Sequence, residues 1–582
     1  MHERFVTYIG HRGDSIRLHL FFRMSPSLLQ TALTSSLRDS LLTVAALSLT
    51  THYIYNRWEP TNVTFQFFLL AVVPLVLSIF VGTHVSILAA VPLTFLTYYA
   101  TLCTSVVLYR LSPFHPLARY PGPIPCKISQ FWMTNISMKG KRHLYIQRLH
   151  EKYGDIVRIG PNEVSIRDPS AINPLMGTNG WPKGPNFLGR SMGPQPMQAM
   201  IMIRNTAEHH RRRRPWNRAF STAALKEYEP LVAKRVNQLV EKIASDKGVV
   251  DIAKYIGYFT YDFMGDMAFG GWYEMLRDGD ADGRWKAMED SLRATVFLEH
   301  IPWITYWMQK LGVGAEVIQK QRSFALARAD ERYKQGSKTK DLFYYLNNDD
   351  GAEPEPPAKA QVISDGNLAI IAGSDTTASV LANIIYYLLR EPTAYKRLQQ
   401  EVDLYYPPGE DATETKNHTK MVFLEAVINE ALRLLPAVPS GSQRAAYPGS
   451  GGKAIGPYYL PEGTHARIHF YSVQRDPRNF SPHPESFWPD RWIVAEGDIP
   501  APKDFKHNPA AFTPFSFGPY NCVGKNLALQ EMRTVLCSFL QNLDLRFADG
   551  YDPEDWIRDI EDMFVVKKGR LPVIATRRTH HS

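Results

Sequence analysis

Cysteine is scarce, with four residues in 582: Cys103, Cys126, Cys522 and Cys537. They are too few and too irregular for a disulfide framework, and none is paired at zinc-site spacing, so a reducing compartment is expected. Residues 1–38 lack an early apolar core and hold five arginines, a pattern unlike a signal peptide. Met24 is a second candidate start. There is no internal repeat and no dominant charge; a net charge of +9 suits a membrane surface, an acidic partner or nucleic acid alike. Apolar residues are plentiful, 45% of the chain, and a large core can be buried. Asn62, Asn135 and Asn417 head glycosylation sequons, which go unused if the chain beyond its anchor is cytosolic.

Two long apolar runs, 63–82 and 85–109, stand near the start. About 20 helical residues cross roughly 30 Å of hydrocarbon, so both read as membrane spans. The run 41–55 is shorter and holds Ser, Thr and His; it reads as interfacial, with a third span as the open alternative. With Arg4, Arg12, Arg17, Arg23 and Arg38 in the cytosol, two spans bring the chain back there, where Arg110 and Arg119 follow. Three spans would break that agreement.

Tyr120-Pro-Gly-Pro-Ile-Pro125 then reads as a stiff, extended connector, because proline fixes φ and removes donors. The expected organisation is 1–119 as an N-terminal region with the anchor, 120–125 as connector and 126–582 as one domain. Helical patterns dominate that domain, with strand-like pieces near 155–166 and 456–470. The segments 347–358 and 447–453 read as surface connections.

Four separated segments carry chemistry. Cys522 stands in Phe515-Ser-Phe-Gly518-Pro-Tyr520-Asn-Cys522-Val-Gly524, ahead of a helix-like segment 525–540. A cysteine alone is most often a small buried hydrophobe. A glycine-bearing turn at a helix N-terminus, however, offers backbone N–H groups to a thiolate, and its glycines let a flat macrocycle approach. The segment 364–390 is apolar and near 40 Å long as a helix at about 1.5 Å per residue. Its middle holds Ala372-Gly-Ser-Asp375-Thr376-Thr, poor helix formers that either cap a shorter helix or serve chemistry. Glu430 and Arg433 share a helix face and alone suggest no more than a weak surface pair. The run His209-His-Arg-Arg-Arg213-Arg-Pro-Trp216 reads as a solvated or anion-binding face; no zinc, helix-turn-helix or aromatic-platform pattern accompanies it, which sets nucleic acid aside. Asp278, Asp280, Asp282, Gly283 and Glu289 match a calcium loop position by position, but Trp285 occupies its eighth position and no second loop pairs with it. Calcium is not expected.

Together these segments resemble the cytochrome P-450 family over nearly all of the chain after Tyr120. The resemblance implies a mainly α (α+β) haem domain with small sheets, preceded by transmembrane helices. It implies haem b as cofactor, Cys522 as axial iron ligand, and Phe515, Gly518 and Gly524 shaping the loop around it. His209 and Arg213 map onto propionate-binding positions, Arg444 is a second propionate partner, and Trp216 is core. Residues 372–377 are similar to the family's oxygen-groove helix, with Gly373 leaving room beside the iron and Asp375 with Thr376 relaying protons to dioxygen. Glu430 and Arg433, with Arg491 in Phe487-Trp-Pro-Asp-Arg491-Trp, resemble a structural lock without chemistry. One position departs: Tyr520 stands where the family commonly has Arg or His, so a charge is missing.

The activity implied is a monooxygenase acting on a hydrophobic organic substrate, a secondary metabolite such as a terpenoid, or a xenobiotic. Thiolate ligation favours O–O cleavage. Only 60 residues follow Cys522, so electrons are expected from a separate NADPH-dependent reductase, with Lys525 and Arg533 as docking bases or plain surface charges. Met192, Met197, Met200 and Met202 suit either a cover over a bulky ligand or a core face. The expected location is the endoplasmic reticulum membrane with the catalytic domain facing the cytosol. Two rival classes stand beside this reading: a haem-thiolate isomerase or dehydratase, which would not need the Asp375–Thr376 pair, and a membrane haem sensor without catalysis.

Overall fold

The computed structural model describes residues 36–271, 274–314, 326–337 and 339–579. Arg4, Arg12, Arg17, Arg23 and the alternative start Met24 lie outside them. The chain divides into two compact units between Val107 and Leu108.

In the first unit Leu37–Trp58 is a helix of 22 residues, longer than the run 41–55 suggested. Ser36 and Asp39 form a reciprocal capping box that starts it early, and Glu59 ends it in the left-handed region. Its polar residues face protein: Ser48 Oγ donates to the Tyr98 carbonyl at 2.7 Å, Thr51 meets Tyr98 Oη at 2.6 Å and His52 meets Ser105 at 2.6 Å. Leu42, Leu47, Leu49 and Tyr53 are left exposed. Ser48 and Thr51 are thus buried against Tyr98, while Thr43 and Thr50 are exposed alongside the apolar side chains. Val63–Gly82 and Ile87–Leu111 are long and apolar enough to cross a membrane, as is Lys359–Arg390.

That third helix is a core element of the second unit. It runs 32 residues, about 48 Å at 1.5 Å per residue, and most of its side chains are buried. Ile252–Phe269, buried on nearly every face, packs along it, as expected of a helix apolar all round. Sheets are small among the described residues. Ile156–Gly160, Glu163–Ile166, His465–Ile468 and Arg444–Ala445 form the largest, with the second and third strands parallel. The two strand-like sequence regions therefore pair with one another. The proline run is not a free connector: Arg158 N–H donates to the Pro121 carbonyl at 2.7 Å. It turns helical at Ile124–Ile128, since proline fits a first helical turn where its missing N–H costs nothing.

Three buried charges secure this unit. Glu430 accepts from Arg433 Nε and Nη2, both at 2.8 Å, from Trp488 N and Trp492 Nε1, both at 3.1 Å, and from Arg491 Nε at 3.5 Å. The pair is no surface ornament, because all three charged side chains are fully buried.

Candidate active site

The Cys522 loop is shaped by backbone demands. Gly518 has φ +70°, and a Cβ there would lie 2.1 Å from the Met176 carbonyl oxygen, so only glycine fits. Cys522 N–H donates to the Phe515 carbonyl at 2.9 Å, closing the turn. Gly524 then caps the 18-residue helix Lys525–Asn542. Cys522 keeps accessible surface, yet desolvation by surrounding protein is the largest influence on it and pushes its pKa up. The thiol is thus accessible yet surrounded by protein. Against that upward push stand the Gly524 N–H, Arg213 and Lys525, each of which favours thiolate. Among neighbouring protein atoms, a Cβ on Gly524 would meet only the Phe220 ring, at 3.8 Å, so the protein's own packing does not require glycine there.

The arginine run is a solvated face only in part, at Arg211 and Arg214. Arg212 is buried and pairs with Asp365 of the long helix at 2.7 Å, while Arg214 and Arg218 reach Glu353 and Arg218 also Asp350. Arg213 donates to the Asn521 carbonyl and to Asn521 Oδ1, both at 2.7 Å, which places it against the cysteine loop. Trp216 is core.

A group of basic residues surrounds Tyr520. The His209 ring lies 4.5 Å from it, the Arg444 guanidinium 4.7 Å and Lys183 Nζ 5.2 Å. Lys183, His209 and Arg444 are buried, and no ion pair to a carboxylate is found for Lys183 or Arg444 among the described residues. Among the described residues, Arg444 Nε and Nη1 and His209 Nδ1 have no hydrogen-bond partner. Burial and the Lys183, Arg213 and Arg444 charges hold His209 down at about 3, so it is a neutral imidazole. Burial, then Arg444 and Arg213, push Lys183 far below the usual lysine range. Buried cations gathered without a counter-ion are costly unless an anion arrives. Two carboxylates of a flat apolar group would supply it, so these residues fit a haem. Lys183 was missed from sequence; nothing in Trp181-Pro-Lys183-Gly marks it, because only its backbone bridge to Arg444 places it here.

On the long helix, accessible surface survives at Ile371 and Ala372, in the middle of an otherwise buried element. Thr376 Oγ1 donates back to the Ala372 carbonyl at 2.6 Å, so the helix stays continuous. Gly373 is crowded rather than open: a Cβ would lie 2.6 Å from Met264 Sδ, and the space it leaves is taken by the neighbouring helix. Asp375 is buried, with Oδ1 3.4 Å from Lys568 Nζ and Oδ2 without a partner. Met200 is core, and its N–H donates to Asp365 at 2.8 Å. The calcium-loop carboxylates have other work: Asp280 accepts from Trp285 and Lys286 N–H at a helix start, and Asp282 pairs with Arg284.

A family model, Cytochrome P450, matches residues 119–573. The cytochrome P450 monooxygenase FCK2 of Fusarium pseudograminearum is 36% identical over 485 residues, 82% of this chain and 85% of that protein. The monooxygenase phqL of Penicillium fellutanum is 34% identical over 494 residues, 83% of this chain and 84% of that protein. The tryprostatin B 6-hydroxylase of Aspergillus fumigatus is 30% identical over 494 residues, 84% of this chain and 85% of that protein.

Proposed function

Because the chain belongs to the cytochrome P450 family and is a haem-thiolate monooxygenase, we propose that Cys522 is its iron ligand and that it inserts one oxygen atom from dioxygen into a hydrophobic secondary metabolite. The observation that carries this reading is the Cys522 thiol, accessible in a desolvated position and met by the Gly524 N–H, Arg213 and Lys525. The helix N-terminus behind it adds partial positive charge to the same end. Bound there, a thiolate-ligated haem supplies dioxygen activation and O–O cleavage.

The protein's own residues do the positioning. Lys183, Arg444, neutral His209 and Tyr520 hold carboxylates, and Tyr520 gives its hydroxyl and an aromatic face in place of a fourth charge. Arg213 keeps the cysteine loop in register through Asn521. Asp375 carries a proton toward the cleft, and Thr376, one residue on, presents the hydroxyl that receives it. The apolar wall at Ile371 and Ala372 excludes water and suits an apolar ligand. Electrons come from a separate NADPH-dependent reductase. The apolar helices Val63–Gly82 and Ile87–Leu111 hold the enzyme in the endoplasmic reticulum membrane, with the catalytic unit facing the cytosol. The substrate class is supported by the fungal relatives, one of which is named for hydroxylating tryprostatin B.

Membranes bearing the full-length protein and a fungal reductase, given NADPH and isotopically labelled dioxygen, test this against a panel of terpenoids, indole alkaloids and xenobiotics. A product with one labelled oxygen is expected. A rearranged or dehydrated product formed without NADPH contradicts it.

A further inference from the structure

By composition Leu37–Trp58 does not qualify as a membrane helix, unlike Val63–Gly82 and Ile87–Leu111. The shortfall comes from its six Ser, Thr and His residues, and every one of them has a partner within the first unit. Ser40 Oγ lies 3.4 Å from His84 Nε2, Ser48 Oγ donates to the Tyr98 carbonyl, Thr51 meets Tyr98 Oη and His52 meets Ser105. Thr43 and Thr50, exposed on the outer side, donate back to the carbonyls of Asp39 and Ala46 at 2.9 and 3.0 Å. Polar groups in hydrocarbon must be satisfied from within the protein, and these side chains are. No Asp, Glu, Lys or Arg stands in 40–56, about 26 Å of helix at 1.5 Å per residue, against roughly 27 Å of hydrocarbon in the endoplasmic reticulum. Tyr53, Tyr55 and Trp58 gather at one end, as aromatic residues do at a membrane surface.

The order of the contacts gives the direction of the helix. Ser40 meets His84, Ser48 meets Tyr98 and His52 meets Ser105, so Leu37–Trp58 runs parallel to Ile87–Leu111, its centre beside that helix's centre. Tyr98 joins all three helices, because its hydroxyl also donates to the Leu69 carbonyl at 2.9 Å, while Tyr99 donates to the Leu70 carbonyl. Both carbonyls lie in the π-helical turn Phe68–Val72 just before Pro74, where the regular backbone ladder is broken. Lipid could not satisfy that defect; the neighbouring helix does. Outward, all three helices are apolar, with Leu42, Leu47 and Leu49 exposed on the first, Leu75 and Ile79 on the second and Leu96 on the third.

We propose that Leu37–Trp58 is a third membrane span whose outer face contacts lipid acyl chains, making the anchor a three-helix bundle. The Arg38 end of this helix then lies across the membrane from the Arg110 end of Ile87–Leu111. That the Arg38 end is lumenal rests on the reading of the catalytic unit as cytosolic. The five N-terminal arginines oppose this less than their number suggests, because charge acts chiefly within about 15–20 residues of a span. Arg17, Arg23 and Arg38 fall in that range on one side, and Arg57, Arg110, Arg119 and Lys127 on the other.

The test is topological, since an odd number of spans puts the two ends of the chain on opposite sides. Full-length protein is made in sealed microsomes with an epitope tag containing a glycosylation sequon, placed before Met1 in one version and after Ser582 in another. A lumenal tag is glycosylated and resists added protease; a cytosolic tag is bare and is degraded. The expected result is a glycosylated, protected tag before Met1 and a bare, degraded tag after Ser582. If both tags are degraded, the third span is overturned and the cytosolic reading survives. If the tag before Met1 is degraded and the one after Ser582 protected, three spans survive and the cytosolic reading falls. If both are protected, both fall. Leu47→Lys, which puts a charge on the lipid face, should shift much of the tag before Met1 from protected to degraded, whereas Asn56→Lys at the helix end should leave it protected. Equal behaviour of these two variants would overturn the lipid-facing assignment.

Discussion

Replacing Glu430 by glutamine changes shape hardly at all and removes one charge. Five donors converge on that carboxylate, four of them within 3.1 Å. Arg433 and Arg491 would remain fully buried beside one another with no counter-charge. Arg433 keeps the carbonyls of Gln474, Pro484 and Ser486, and Arg491 those of Pro482 and His483, so hydrogen bonding survives in part while charge balance does not. Breaking a buried pair costs about 3–5 kcal/mol, against a total stability on the order of 5–15 kcal/mol. Glu430→Gln should therefore lose about a fifth or more of the stability of the second unit. Guanidinium unfolding of the detergent-solubilised full-length protein, followed by tryptophan fluorescence, reads this as a lowered midpoint, and haem content per chain should fall with it. A midpoint unchanged from wild type would refute the reasoning, since solvent or another acid would then have to be balancing both arginines.

Three further outcomes follow from the same geometry. Gly518→Ala should sharply lower haem content, because the left-handed backbone alone costs about 1–2 kcal/mol for a residue with a Cβ and the contact with Met176 adds to it; normal haem loading would contradict the close approach. Lys183→Met should weaken haem retention roughly tenfold, about the worth of one charge-assisted bond, measured by haem transfer to a scavenger protein. The apoprotein should be no less stable, since a desolvated amine without a counter-charge has gone; a destabilised apoprotein would point to a packing role instead. Burial also holds His143, His150, His300 and His418 at about 4, against an ordinary 6.5. Each is neutral in the fold and protonates sooner in the unfolded chain, so the stabilisation present above pH 6.5 is lost as pH falls from there towards 4. The guanidinium midpoint should drop through that window, and a flat or rising midpoint would contradict the assignment of these histidines as buried and neutral.

The cysteine loop was legible because glycine, phenylalanine and cysteine stand at fixed offsets in one short segment, and each offset answers a local demand. Gly518 is required by its own φ and by Met176; Gly524 and Cys522 open and cap a helix. The Glu430–Arg433–Arg491 cluster was legible only by resemblance, since two charges three residues apart look like a surface pair until a third, some sixty positions away, is folded onto them. Lys183 and Lys568 carried no signal at all. Each depends on long-range pairing, Lys183 beside Arg444 and Lys568 beside Asp375, and a single lysine in a loop or strand end has no periodicity to betray it. In the arginine run six consecutive basic residues, 209–214, read as one face, whereas helical geometry sends Arg212 inward to Asp365 and Arg213 to the cysteine loop. In the first helix the partners of Ser48, Thr51 and His52, on Tyr98 and Ser105, lie about fifty residues further along, so the run itself gives no sign of them.

The central claim is that Cys522 provides the thiolate. Absorption spectra of the reduced, carbon-monoxide-bound full-length protein, recorded for wild type and Cys522→Ser, address it most directly. A red-shifted Soret band in wild type that is missing from a folded, haem-containing Cys522→Ser protein is the predicted result. The same band persisting in Cys522→Ser, or its absence from haem-loaded wild type, would contradict the account.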